Sequence, residues 1–235
     1  EKTKIASTNL PNTYIFIFDE WSYERSFKNK ELLPSFKNLN EFKRSSTTFH
    51  EAYSPYDHTF RSLPAFIFQN EGEFLILKGK LCFKDKESKF RPIEEVSSIF
   101  DSPHKEGFKT ILLGFYFPYS NFLNRGVDYV FSSSSYKIFG GNFLEVSLYH
   151  LLKNFVLYFN HFQSHGTELI ESTAENYFQV RRIEQLHLQT LSVIQNINQP
   201  TFAFFHYPIP HDPLIYDRNG PKNPFHVYQK NDISN

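Results

Sequence analysis

Three short runs of apolar residues constrain this chain most. They are Tyr14-Ile15-Phe16-Ile17-Phe18, Thr110-Ile111-Leu112-Leu113 and Phe202-Ala203-Phe204-Phe205. None alternates apolar with polar residues, which is the pattern of parallel strands covered on both faces. Between the runs lie helical patterns. A helix is expected from Leu33 to Phe42, with Pro34 suited to its first turn. Another is expected to start at Pro92-Ile93-Glu94-Glu95-Val96 and lead into the Ile111 strand. Leu144, Leu148, Leu151, Leu152, Phe155, Phe159 and Phe162 recur on one face of a long helix. Ser172 and Glu175 form a capping-box pair for a second long helix through Val180, Ile183, Leu186, Leu191, Ile194 and Ile197, with Pro200 ending it. Strands alternating with helices predict an α/β fold with a mostly parallel central sheet. Phe74 to Phe83 reads as a hairpin insertion around Gly79, and Ser132 to Ser135 as a short polar loop. No internal repeat or domain boundary is visible, so a single domain over 1–235 is expected.

Composition narrows the function classes. Lys and Arg together number 25 and so do Asp and Glu, for a formal net charge of zero. That argues against nucleic acid as a partner, because nucleic-acid binders carry a basic excess or stripe. The single cysteine, Cys82, excludes an intrachain disulfide and a cysteine-based zinc site. No uncharged apolar run reaches the length of a transmembrane helix, so membrane association is expected either from a segment outside this chain or from the aromatic helix Phe143 to Phe162 lying against a membrane surface, whose plainer reading is a core helix. The chain starts at Glu1 and contains no methionine, which reads as a processed or partly recorded protein.

In an open parallel sheet, ligands bind beyond the carboxyl ends of the strands. Asp19 and Glu20 follow the first apolar run. Two adjacent carboxylates there suit a hard divalent cation, or else form an ordinary exposed loop. After the third run, Tyr207-Pro208-Ile209-Pro210-His211-Asp212-Pro213 stiffens the backbone around His211. His211 is a candidate contact for an anionic substrate or a metal, against the plainer reading of a rigid surface loop. His206 reads as a satisfied core residue. In Ser54-Pro55-Tyr56-Asp57-His58-Thr59-Phe60-Arg61-Ser62, a helix beginning near Thr59 makes an anion pocket from its N–H groups and dipole. Thr59 is then either a metal-activated nucleophile or an N-cap threonine. Walker A, Gly-x-Gly-x-x-Gly, His-Glu-x-x-His and Gly-x-Ser-x-Gly patterns are all missing from the sequence.

Taken in order, five segments resemble the sulfatase and alkaline phosphatase superfamily. Pro11 to Glu20 is similar to its first strand and metal-binding acid, and Leu33-Pro34-Ser35-Phe36-Lys37-Asn38-Leu39 to its Pro-Asn-leucine helix. Thr48 to Ser54, followed by Thr59, Ser62 and Pro64, is similar to the approach to its nucleophile. Gly107-Phe108-Lys109-Thr110-Ile111-Leu112-Leu113-Gly114 is similar to its Gly-Tyr-x-Thr strand, and Phe204 to Pro213 to its Pro-His-x-Pro loop. The resemblance implies a three-layer α/β/α sandwich with a mostly parallel central sheet. It implies that Asp19, helped by Glu20, binds a divalent metal ion (Mn, Mg, Zn or Ca). Thr59 is then the nucleophile and His211 a substrate contact, with Arg61 adding positive charge. Arg61 does not match the arginine of the sulfatase Cys-x-Pro-x-Arg motif, and Thr59 stands where sulfatases mature a Cys or Ser to formylglycine. Threonine is the nucleophile of the family's phosphotransferases, including relatives of lipoteichoic-acid synthase and phosphoethanolamine transferase.

The resemblance therefore implies a metal-dependent hydrolase or transferase acting on a small or lipid-linked phosphate or sulfate ester, at an extracytoplasmic or membrane-anchored face. The family completes its metal site with an Asp-His or Asp-Asn pair after a later strand. Asp57-His58 and Asp212 are misplaced for that role, so the domain is expected to stop short of it. The alternative is a non-catalytic sulfatase-like fragment that binds an anionic lipid, a glycan or a protein partner.

Overall fold

The computed structural model describes residues 10–70, 73–77, 80–84, 89–115, 117, 119–123, 125–133, 167–210, 216–217 and 220–221. Its centre is a sheet of four parallel strands: β1 (Thr13–Phe18), β7 (Lys109–Phe115), β8 (Tyr129–Ser133) and β9 (Thr201–Tyr207). The order is β1-β9-β7-β8, so the last of the four in sequence lies between the first two. Strands β2 (Phe27–Lys28) and β3 (Glu31–Leu32) form a small hairpin after the short helix α1 (Tyr23–Ser26), and β10 (Tyr216–Asp217) pairs with β11 (Gly220–Pro221).

The three apolar runs thus become β1, β7 and β9, paired as an α/β fold requires. Coverage is uneven. β7 and β9 are buried almost throughout, whereas β1 leaves Phe16 and Phe18 exposed. Its lack of alternation therefore does not mean that both faces are covered. The fourth strand falls where a polar loop was expected. Ser132 and Ser133 are buried in β8, and each is bonded: Ser132 Oγ accepts from the Ser120 N–H at 3.3 Å, and Ser133 Oγ donates to the Arg182 carbonyl at 3.3 Å. Hydrogen bonds of this kind allow polar side chains inside a sheet.

Side chains alternate along the strands and build a core on each face. Leu112 and Phe204 pack with Leu63, Ala65 and Ile67 of helix α3 (Thr59–Phe68), and with Phe100. Ile111, Leu113, Ala203 and Phe205 pack on the other face around Leu186 of helix α6 (Thr167–Gln195). The expected hairpin is present as β4 (Glu73–Leu77) and β5 (Lys80–Lys84), with Phe74 opposite Phe83, and β6 (Phe90–Pro92) adds a third strand to it. Phe74, Leu81 and Phe83 extend the α3 core.

Helix boundaries differ from expectation in three places. Helix α2 is Lys37–Lys43, and Pro34 lies in the turn before it. Ile93–Glu95 is a single 3₁₀ turn, and the helix before β7 is α4 (Asp101–Lys105). Ser172 lies inside α6 and is not its cap. The aromatic helix expected over 143–162 and His211 lie outside the described residues. Among the described residues, no helix is long and apolar enough to cross a membrane.

Candidate functional site

Parallel register brings three residues together at the carboxyl ends of the strands. His206 on β9 lies opposite Ile17 on β1 and Gly114 on β7. The Asp19 N–H donates to the Tyr207 carbonyl at 2.9 Å and extends the ladder one residue past β1. Because side chains alternate, Ile17 and Asp19, Phe204 and His206, and Leu112 and Gly114 all share the α3 face. Glu20 follows at φ 58°, in the left-handed region, and turns the chain away from the sheet.

Helix α3 supplies the facing group. His58 is its N-cap, with extended φ −124° and ψ 139°, and its carbonyl accepts from the Arg61 and Ser62 N–H groups at 3.0 and 2.8 Å. Thr59 is therefore the first helical residue, and the N-cap reading of it is overturned. Its hydroxyl donates instead to the Asp19 carboxylate, with Oδ1 at 3.1 Å and Oδ2 at 3.3 Å. The positive end of the helix dipole favours negative charge at that point.

Behind Asp19 lies a buried chain of polar groups. His206 is fully buried, with Nδ1 3.0 Å from the Phe115 carbonyl and 2.9 Å from the hydroxyl of Tyr119, the first residue of the short helix α5 (Tyr119–Phe122). Its Nε2 lies 3.7 Å from Asp19 Oδ2 and has no hydrogen-bond partner among the described residues. His206 is thus a core residue, as expected, but not a satisfied one. Burial, reinforced by the Asp19 charge, raises the Tyr119 phenol well above its ordinary range, so it stays neutral. The Tyr119 ring fills the space where Gly114 lacks a side chain: a Cβ there would lie 2.4 Å from Tyr119 Cε2.

In front of Asp19 and Thr59 opens a cleft of about 800 Å³. Glu20, Trp21, Asp57, His58 and Arg61 are among the residues lining it. Arg61 stacks its guanidinium over Tyr56, 4.5 Å from the ring centre, and this stacking holds its charge at the cleft wall.

Of the residues singled out in the sequence, Asp19, Glu20, Thr59 and Arg61 are gathered at this cleft. His206 and Tyr119 were missed as site residues. For His206 the available signal was an imidazole within an otherwise apolar run, one residue from the strand's end; Tyr119 carried none.

Asp19 and Thr59 fit part of a divalent-cation site. Two oxygens held at about 2.1 Å by one octahedral ion lie roughly 3 Å apart, the spacing that the Asp19 carboxylate and Thr59 hydroxyl already have. Among the described residues, no group of three or more His, Cys, Asp or Glu side chains gathers to hold a metal. The chain matches no family model, no curated protein and no solved structure.

Proposed function

We propose that this chain is a metal-dependent hydrolase or transferase acting on a phosphate or sulfate ester through a threonine nucleophile, in a three-layer, alkaline-phosphatase-like α/β/α domain. The observation that carries the reading is the Thr59–Asp19 hydrogen bond in the wall of the cleft, made between residues forty positions apart in the chain. Hydrophobic cores on both faces of the parallel sheet support the layered fold.

Asp19 and Thr59 would hold a divalent ion, with Glu20 lining the same cleft, and the bound ion would supply Lewis acidity toward the hydroxyl and the anionic ester. Asp19 orients the Thr59 hydroxyl and accepts its proton. Thr59 Oγ1 then forms a bond to phosphorus (or sulfur) in line with the ester oxygen that leaves. The leaving oxygen takes the bonding electron pair and a proton from solvent. Water or an acceptor alcohol resolves the covalent Thr59 ester by the same displacement in reverse; Asp19 returns its proton to the departing Thr59 oxygen, and the proton of the water or alcohol goes to solvent. Arg61 faces the developing negative charge from the cleft wall. His211, outside the described residues, is proposed as a further contact to the nonbridging oxygens.

The test is hydrolysis of an aryl phosphate mono- or diester in the presence of Mn²⁺, Mg²⁺ or Zn²⁺. Thr59→Ala is expected to lower the rate by at least about 10³-fold, as removal of a nucleophile does. Undiminished turnover in that variant overturns the nucleophile assignment. A wild-type chain that turns over no ester but binds anionic lipid or glycan supports the non-catalytic alternative.

A further inference from the structure

The buried imidazole behind Asp19 poses a problem in proton placement. A carbonyl oxygen can only accept, so the 3.0 Å approach of His206 Nδ1 to the Phe115 carbonyl places a proton on Nδ1. The Tyr119 oxygen, 2.9 Å from the same nitrogen, can accept a share of that N–H. In the neutral ring, Nε2 is then a bare lone pair. It is completely buried, has no hydrogen-bond partner among the described residues and faces Asp19 Oδ2 at 3.7 Å. An acceptor turned toward a carboxylate in a water-poor site is unfavourable unless a proton on Nε2 or a metal cation lies between them.

We propose that His206 Nε2 is a nitrogen ligand of the cation that Asp19 and Thr59 hold, an inference that rests on the metal reading above. Two features of the chain prepare the ring for this role. Its tautomer is set by a backbone carbonyl, the second-shell arrangement typical of metal-binding histidines. Its position is set by the parallel register, which carries β9 to the same level as the end of β1. A nitrogen ligand also biases the choice of ion. Carboxylate and hydroxyl oxygens alone suit Mg²⁺ or Ca²⁺, whereas an added imidazole favours Zn²⁺ or Co²⁺.

The experiment uses the whole chain and the metal ions alone. Calorimetric titration of wild type is expected to show Zn²⁺ and Co²⁺ binding more tightly than Mg²⁺. His206→Gln is expected to weaken Zn²⁺ by at least about 10-fold, with a smaller effect on Mg²⁺, and to alter the visible spectrum of bound Co²⁺. A measurement needing no variant is ¹⁵N NMR of histidine-labelled wild type, in which Cd²⁺ or Zn²⁺ should shift His206 Nε2 as a metal-bound nitrogen. The inference is overturned if Nε2 carries a proton in the metal-saturated protein, or if His206→Gln leaves the affinities and the Co²⁺ spectrum unchanged. If Asp19→Asn abolishes binding while His206 Nε2 stays unligated, only this inference fails. If wild type binds no divalent ion, the metal reading fails with it.

Discussion

Gly114 shows how much of the site depends on a missing side chain. It lies opposite His206 on the neighbouring strand, and the Tyr119 ring occupies the place of its absent Cβ. Tyr119 cannot retreat freely, because its other side packs against Phe117 in the buried core and its hydroxyl reaches His206. In Gly114→Ala, the new methyl at 2.4 Å from Cε2 must displace the ring. Overpacking of this kind costs about 1–3 kcal/mol. The expected result is a lower urea midpoint with an unchanged slope, together with weaker metal binding as His206 loses its neighbour. If Gly114→Ala keeps wild-type stability, the Tyr119 packing described here is wrong. Of the site's members, Asp19 and Thr59 were legible in the sequence because each sits at a boundary: a carboxylate just past an apolar strand, and a hydroxyl where a helix begins. His206 and Tyr119 were not, because their roles come from register and ring packing, which no local pattern encodes.

At the level of elements, β7 and β8 are clamped together near their first residues. The Thr110 N–H and hydroxyl both donate to Asp128 Oδ2, at 2.8 and 2.9 Å, and the Asp128 N–H returns a bond to the Thr110 carbonyl at 2.9 Å. Partial burial pushes the Asp128 carboxyl up, but the two Thr110 bonds and nearby His104 outweigh it, and the group is held below the usual carboxylate range. A carboxylate depressed on folding adds stability above its unfolded value, and this is lost as pH falls through the lower folded value. The Asp128 side chain is 38% exposed, so the contribution is under about 1 kcal/mol. Urea melts of wild type and Asp128→Asn are expected to differ most above the ordinary carboxylate range and to converge as the pH falls through the lowered folded value. A gap that widens in acid contradicts the clamp. This clamp also explains why β8 was hidden. Its start is fixed by Asp128 and its end by buried serines, so its short Tyr129-Val130-Phe131 run is cut off by a polar tail that reads as a loop. Pro34 and Ser172 misled for the converse reason: each is a good boundary residue by chemistry, but packing sets the boundary elsewhere.

The whole sheet depends on the strand that arrives last. β9 lies between β1 and β7, and among the described residues it is the only strand of the four that pairs with β1. Its first residue is tied across the molecule, where the buried Thr201 N–H donates to Asn12 Oδ1 at 3.0 Å over a separation of 189 residues. Closing a loop of that length costs chain entropy before the strand pairing compensates, so the sheet has little means of forming in parts. The core follows the same rule: Phe204 joins the cluster on the α3 face, and Ala203 and Phe205 join the one on the α6 face. A chain ending at Pro200 therefore loses the middle of the sheet, a contributor to each core and His206 in one cut. It is expected to lack a cooperative urea transition and near-ultraviolet circular dichroism, while keeping some helical signal from α6. It is also expected to bind divalent ions no better than the unfolded chain, even though Asp19 and Thr59 are both present. A cooperative transition in that fragment, with a slope near that of the full chain, means the remaining strands hold together without β9. The cleft would then be a property of α3 and β1 alone, and the parallel register would no longer account for where Asp19 sits.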